Sequence, residues 1–289
     1  MSQPKENYSA KLRAKSMVYF VICIILTLIC LVPIYILIIN ATRKHVDIIS
    51  SVSFIPGSNL AANVKKLLND PMFQFDPFIG FKNSAIIAVG STVLSVFFSA
   101  LTAYGLVVYD FKLRGPAYTF ILVVMMVPMQ VTSVGFLQFM IQLGLSDSFI
   151  PLIVPTIAAP AIVFFMRQYL KSSFPLDIVE AARIDGCGEF RTFLTIAIPM
   201  MKPAIAVQAI FAFIQNWNNF YQPSMILVSR KFEQLTMPMM INMLKSNDKI
   251  ADYGVIYAGI ALSIIPVVVI YLLLSRFIVE GVALGGVKE

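Results

Sequence analysis

The sequence predicts an all-α membrane protein with six transmembrane helices. Of its 289 residues, 58% are hydrophobic and 13% are charged, whereas soluble globular domains are about half apolar and a quarter charged. Apolar runs without any Asp, Glu, Lys, Arg or His recur along the chain, each close to or longer than the roughly 20 residues that cross a bilayer as a helix. They are Met17–Ile39, Asn83–Tyr109, Pro116–Leu145, Ser148–Met166, Pro203–Ser229 and Tyr253–Ser275.

Lysine and arginine are unevenly distributed between the two sides of these runs. If the N-terminus is inside, thirteen basic residues lie on the inner side and nine on the outer side, where the loops are longer. Because short inner loops carry the excess of basic residues, both termini are expected in the cytoplasm. The predicted domains are an inner tail at 1–16, a six-helix domain at 17–278 that includes an inner loop at 167–202, and an inner tail at 279–289. The net charge of +7 is attributed to this asymmetry, and no nucleic-acid partner is expected.

The first span and the outer segment after it carry few chemical signals. Pro33 is expected to kink the first span. Residues 40–82 form the longest outer segment, and a short amphipathic helix is predicted there from apolar residues at helical spacing, namely Leu60, Val64, Leu67 and Leu68. His45 is expected to be solvated and to have no role. In the second run, serine and glycine residues should let neighbouring helices pack closely.

Proline interrupts the third and fourth runs. Pro128 is predicted to break the third helix near the middle of the membrane, and polar side chains just after it can bond the freed backbone groups. A water-lined path and a simple packing kink both explain such a break, so the choice stays open. The polar side chains are Gln130, Thr132 and Ser133, and the prolines of the fourth run are Pro151, Pro155 and Pro160.

A polar stretch between the fourth and fifth runs predicts two short helices joined by a tight turn. Pro175 suits the first turn of a helix, and Gly186 after Asp185 can adopt the left-handed backbone that closes one. A second stripe follows at helical spacing. Small side chains in the first helix would let a partner approach the backbone, although an ordinary helical hairpin explains them equally well. The stripe is Phe190, Phe193, Leu194 and Ala197, and the small residues are Ala181, Ala182 and Gly186.

The fifth run carries an unusual number of amide side chains. Gln208, Gln215, Asn219 and Gln222 fall on one helical stripe at i, i+7, i+11 and i+14. This stripe is predicted to border a path for a hydroxylated solute, next to several aromatic residues. Amides also bond neighbouring transmembrane helices, so a packing role remains the alternative.

Several classes of function are disfavoured by what the sequence lacks. Proton coupling commonly uses an ionisable side chain inside the membrane, and none lies in the six runs, although a sodium site made of backbone carbonyls stays possible. No P-loop is present because no glycine precedes a lysine. One histidine and three scattered cysteines support neither a metal site nor a catalytic nucleophile. The sequence therefore favours a non-enzymatic transporter with an external energy source, the alternatives being a sodium-coupled secondary transporter of small polar solutes and a non-transporting assembly factor.

The stretch Glu180-Ala-Ala-Arg-Ile-Asp-Gly186, followed after twelve residues by Pro199, resembles the EAA motif of permease subunits in binding-protein-dependent ABC importers. Further stretches are similar to the second, six-helix permease of maltose-type carbohydrate systems, and the likeness extends over nearly the entire chain. These stretches are Phe164-Phe-Met-Arg-Gln168, Leu143-Gly-Leu145, Trp217-Asn-Asn-Phe220 and the tail from Glu280 to Lys288.

The resemblance implies a type I ABC importer permease-like fold with a cytoplasmic EAA coupling hairpin. It implies that Glu180, Ala181, Ala182, Asp185 and Gly186 contact a cytoplasmic ATPase, which would bind ATP and magnesium, so that this chain binds no cofactor. The implied partners are a second permease, two ATPase subunits, an extracellular sugar-binding protein, a sugar and the lipid of a bacterial inner membrane. In maltose-type systems the other permease chiefly holds the sugar, which weakens the prediction of a path along the amide stripe. Cys187 stands where the family usually has alanine.

Overall fold

The computed structural model describes residues 5–246 and 252–285, and every regular element in these two ranges is helical. The α-helices are α1 (Lys5–Ala41), α2 (His45–Ser50), α3 (Leu60–Asn69), α4 (Pro77–Val108), α5 (Arg114–Met125), α6 (Met129–Gln142), α7 (Ile150–Ile153), α8 (Pro160–Ser173), α9 (Asp177–Ile184), α10 (Glu189–Thr192), α11 (Ile198–Met200), α12 (Lys202–Trp217), α13 (Tyr221–Ile226), α14 (Met237–Ser246) and α15 (Tyr253–Gly285). Short 3-10 helices occupy Pro71–Phe73, Val154–Ile157 and Phe232–Gln234, and Phe193–Ala197 is a π-helix.

Within the described residues, four helical segments are long and apolar enough to cross a membrane. Two bent pairs raise the number to six if each pair counts as one span: α5 with α6, bent by 96°, and the segment from α10 to α11 with α12, bent by 80°. The all-α membrane class predicted from the sequence is therefore confirmed. The four segments are Lys15–Ala41, Pro71–Val108, Ile150–Ser173 and Tyr253–Ser275.

Both predicted tails continue the helices beside them. α1 begins at Lys5 and α15 extends to Gly285, whereas residues 1–4 and 286–289 of the predicted tails lie outside the described residues. The early start of α1 has a local cause, because no glycine or proline occurs between Lys5 and Met17 to interrupt a helix.

The first of two compact units lies within residues 1–74 and 244–262. Arg43, only 7% exposed, donates hydrogen bonds to the carbonyls of Asp47 (2.6 Å) and Ser51 (2.9 Å). Asn63 of α3, the short helix predicted from the apolar spacing, donates to the carbonyls of Ala41 (2.8 Å) and Arg43 (2.9 Å). The bond from Asn63 satisfies the Ala41 carbonyl, which the end of α1 leaves without a helical partner, whereas Arg43 bonds carbonyls of α2 and of the residue after it.

His45, which was expected to be solvated, is half-buried instead. Its ring stacks on that of Tyr253, with centroids 5.3 Å apart, and its Nδ1 accepts a hydrogen bond from the Tyr253 backbone N–H at 3.1 Å. The two residues are 208 positions apart, so local sequence patterns contain no sign of this contact.

The second compact unit lies within residues 75–243 and 263–289 and is built around α4. Four serines of α4, Ser84, Ser91, Ser95 and Ser99, are buried, and two of them bond backbone carbonyls of the interrupted fourth run. Ser91 donates to the carbonyl of Leu152 (3.1 Å), and Ser99 donates to that of Ala159 (3.4 Å). Since a helix broken by proline leaves carbonyls without partners, these hydroxyls explain how the break is tolerated.

The third run is also broken, as predicted from Pro128. α5 ends at Met125 and α6 starts at Met129, while Ser133 donates to the carbonyl of Gln130 at 2.7 Å. Residues 230–252, between the fifth and sixth runs, contain α14, whose Met237, Met239 and Met240 are buried. Residues 247–251 lie outside the described residues.

Candidate functional site

The predicted helix, turn and helix lie within residues 177–200, here called the 177–200 hairpin. α9 ends in a Schellman motif: the N–H of Cys187 bonds the carbonyl of Ala182 at 2.9 Å, and the N–H of Gly186 bonds that of Arg183 at 3.0 Å. Gly186 has a φ of +78°, the left-handed conformation predicted for it. Pro175 lies just before α9 instead of in its first turn, because α9 begins at Asp177.

Four of the five residues predicted to contact an ATPase are exposed, and the fifth is not. Glu180, Ala181, Asp185 and Gly186 face outward. Ala182 is buried, as is Val179 three residues earlier on the same side of α9. Ala182 therefore does not belong to the exposed face, because its small side chain packs inward, and its contact with an ATPase stays a prediction.

The second half of the hairpin is anchored by two of its four predicted stripe residues. Phe193 and Ala197 are buried, whereas Phe190 and Leu194 are exposed. A stripe counted at 3.6 residues per turn does not stay on one face here, because the π-helix at Phe193–Ala197 has a wider turn.

One apolar core joins the hairpin to the membrane-crossing helices of the second unit. The Phe193 ring packs against Tyr104 and Phe97 of α4, with centroids 5.3 and 5.9 Å apart. Burial of this kind holds the hairpin against α4 and α8. The core comprises Val96, Ala100, Ala103, Tyr104, Val107, Met166, Leu170, Phe174, Val179, Phe193, Ala197, Met201, Ala204 and Ala212.

A polar cluster of Tyr109, Arg183 and Glu189 lies at the edge of this core. Glu189 Oε1 accepts from Arg183 Nε at 2.7 Å, while Oε2 accepts from Arg183 Nη2 at 3.2 Å and from the Tyr109 hydroxyl at 2.6 Å. The Arg183 hydrogen bonds, followed by that from Tyr109, hold the pKa of Glu189 below its ordinary value. Burial and the bond to Glu189 raise the pKa of Tyr109 to about 12.

Sequence reasoning missed this cluster. Arg183 and Glu189 have opposite charges on either side of a tight turn, and this pattern could have predicted their ion pair. Tyr109 is 80 residues away from Glu189, so no local pattern could have predicted its hydrogen bond.

The predicted amide stripe is not continuous. Gln208 and Gln215 lie on α12, but this helix ends at Trp217. Beyond it, Asn219 Nδ2 donates to Gln222 Oε1 at 2.7 Å, and the Gln222 N–H donates to Asn219 Oδ1 at 3.2 Å. The expectation of one continuous helical stripe is thus wrong at Asn219 and Gln222, whereas their position beside a solute path stays a prediction.

Pro223 gives the physical reason for the end of the stripe. A proline inside a helix clashes with the carbonyl four residues earlier and offers no N–H to it, and here that carbonyl belongs to Asn219. The chain instead starts a new short helix, α13, at Tyr221.

The break between α12 and α13 is joined to the broken third run. The hydroxyls of Tyr221 and Ser133 are 2.9 Å apart, linking α13 to α6. Trp217 is buried and donates from Nε1 to the carbonyl of Ser263 at 3.0 Å. Around the break, Gln215, Phe220 and Tyr221 remain exposed.

Among residues 5–246 and 252–285, no group of three or more His, Cys, Asp or Glu side chains is close enough together to hold a metal ion.

Comparison with solved structures shows that this fold occurs in another protein. The chain is similar to one from the crystal structure of a bacterial ABC transporter involved in the import of the acidic polysaccharide alginate, with a TM-score of 0.73. The match covers 96% of this chain and 99% of the other at 22% sequence identity, and at this identity it establishes the fold.

Sequence comparison identifies relatives among sugar permeases. The chain is 35% identical to the arabinooligosaccharides transport system permease protein AraQ of Bacillus subtilis, over 91% of this chain and 92% of the relative. It is 33% identical to the lactose transport system permease protein LacG of Rhizobium radiobacter, over 74% and 77% of the two chains.

The family model described as binding-protein-dependent transport system inner membrane component matches residues 95–283. This range contains the 177–200 hairpin with its EAA-like stretch, both broken spans and most of α15, so the resemblance stated from the sequence is confirmed. The chain therefore belongs to the family of inner membrane components of binding-protein-dependent transport systems.

Proposed function

We propose that this chain is a permease subunit of an ATP-driven importer of sugars or oligosaccharides in a bacterial inner membrane. The permease class follows from its family, and the sugar class is supported by the arabinooligosaccharide and lactose systems of its relatives. Both termini and the 177–200 hairpin would lie in the cytoplasm, as the excess of basic residues in short inner loops indicates.

The partner that supplies energy for transport would contact the exposed face of the hairpin. Glu180, Ala181, Asp185 and Gly186 offer a charged edge and a backbone that a partner can approach closely, and this exposed face is the observation that carries the proposal. Ile184 is 87% exposed in the middle of this face, where contact with another protein would bury its apolar surface. The partner would be a cytoplasmic ATPase that binds ATP and magnesium and hydrolyses the ATP, because this chain has no P-loop of its own.

The complete transporter would contain a second permease, two ATPase subunits and an extracellular sugar-binding protein. The apolar residues of α1 are exposed throughout 15–35. They must therefore be covered by lipid or by another protein, and a second permease would supply part of that cover.

The solute would pass the break between α12 and α13. Gln208 and Gln215 would border the path from α12, while Asn219 and Gln222, bonded to each other, would do so from the break. Amides hydrogen-bond hydroxyl groups, and the exposed ring of Tyr221 offers an apolar face for the C–H groups of a sugar.

Reconstitution tests the proposal directly. The chain, its cognate second permease, ATPase and binding protein are placed in liposomes, and uptake of radiolabelled arabinooligosaccharide or lactose is followed with and without ATP. We expect uptake that needs ATP and every component. Uptake by this chain alone under a sodium gradient would instead establish a secondary transporter, and ATP-dependent uptake unchanged by omitting this chain would contradict any permease role.

A further inference from the structure

Three separate parts of the chain meet at the carboxylate of Glu189. Arg183 belongs to α9, Glu189 begins α10, and Tyr109 follows the last residue of α4. Both carboxylate oxygens are engaged, one by Arg183 alone and the other by Arg183 and Tyr109 together. The Arg183 guanidinium also lies 5.6 Å from the centre of the Tyr109 ring.

The cluster of Tyr109, Arg183 and Glu189 fixes the orientation of the hairpin, which the adjoining apolar core does not. Burial of Phe193 and Val179 holds the hairpin close to α4, but apolar packing has little directionality. A two-pronged bond between arginine and a carboxylate fixes orientation as well as distance. The additional bond from Tyr109 extends that fixed geometry from the hairpin to the end of α4.

We propose that Glu189 is a positioning residue that makes the 177–200 hairpin and the end of α4 one rigid body. A push on the exposed face of α9 then moves α4, around which the second unit is built, instead of tilting the hairpin by itself. This inference rests on the proposed function, because it assumes that the hairpin receives the push from an ATPase.

The test measures solute molecules transported per ATP hydrolysed in the fully assembled transporter. We expect Glu189→Gln and Tyr109→Phe to keep assembly and ATP hydrolysis while lowering this ratio roughly three- to tenfold, the size expected when a partly exposed, charge-assisted bond is lost. Arg191→Gln is the matched control: Arg191 is exposed on the same hairpin but outside the cluster, and its removal should leave the ratio unchanged.

Two double variants separate positioning from general damage. Because Tyr109 acts through Glu189, Tyr109→Phe combined with Glu189→Gln should be no worse than Glu189→Gln alone. Exchanging the charges, with Arg183→Glu and Glu189→Arg together, should restore part of the ratio that each single change loses. Additive losses in the first double variant, or no rescue in the second, would overturn the inference.

Glu180→Lys in the same preparation distinguishes this inference from the proposed function. If Glu180→Lys abolishes uptake while Glu189→Gln leaves the transport ratio intact, only the positioning role is overturned. If Glu180→Lys has no effect either, the hairpin does not couple to an ATPase and both proposals fail.

Discussion

Gly186 offers a test of whether backbone conformation or close approach accounts for the glycine of the turn. Its φ is +78°, and a Cβ added to it would meet no other atom within 4 Å. A substitution therefore meets no steric obstacle inside this chain, and its cost arises from the left-handed backbone. For an L-residue with a Cβ that cost is about 1–2 kcal/mol, or roughly a factor of 5 to 30 between the closed and open turn.

The order of effects follows from the same conformation. Asparagine tolerates left-handed backbone better than alanine does, and β-branched valine tolerates it least. Hydrogen exchange at the Cys187 amide, which bonds the carbonyl of Ala182, should therefore accelerate in the order Gly186→Asn, Gly186→Ala, Gly186→Val. Sugar uptake should fall in the same order. Gly188→Ala is the control, because Gly188 has a φ of −68° and equal free space.

Two results would contradict a role of the left-handed backbone at Gly186. If Gly186→Ala leaves exchange at Cys187 unchanged, the left-handed backbone is not what the turn needs. The second result is hydrogen exchange that follows the predicted order while asparagine at position 186 impairs sugar uptake more than alanine does. In that case the size of the side chain determines the loss of uptake, and the glycine is needed so that a partner can approach the turn closely.

Three other changes have defined outcomes. Glu180→Lys should abolish ATP-dependent uptake with no loss of protein from the membrane, measured by transport and immunoblotting, and normal uptake would contradict the coupling role. Gly254→Ala places a Cβ 2.6 Å from the Arg43 carbonyl and 2.7 Å from Asn63 Nδ2; overpacking of this kind costs about 1–3 kcal/mol and should lower the thermal midpoint, whereas Gly105→Ala, with free space around it, should not. The pKa of Glu189 is lowered in the folded protein, so its ionised carboxylate stabilises the fold at pH values above the ordinary carboxyl pKa of 4.5. This stabilisation is lost as the pH falls through the lower pKa of the folded state. The difference in thermal midpoint between the natural protein and Glu189→Gln should thus be constant near neutrality and vanish only below that value.

Features that depend on neighbouring residues were predicted well. The break at Pro128 and the left-handed turn at Gly186 follow from the covalent geometry of proline and glycine, and both are present. Pro223 carried the same information about the fifth run, yet the helical stripe was continued to Gln222 directly before it, whereas α12 ends at Trp217.

Composition, charge distribution and local spacing were sufficient to predict an all-α membrane protein with a helical hairpin and a family likeness, because those properties depend on each residue and its near neighbours. Which residues of the hairpin are exposed depends on tertiary packing instead. Ala181 and Ala182 are identical and adjacent, but one is exposed and the other packs inward. The Tyr109–Glu189 bond likewise joins positions 80 residues apart, because it depends on how α9 and α10 pack against α4, which no local pattern encodes.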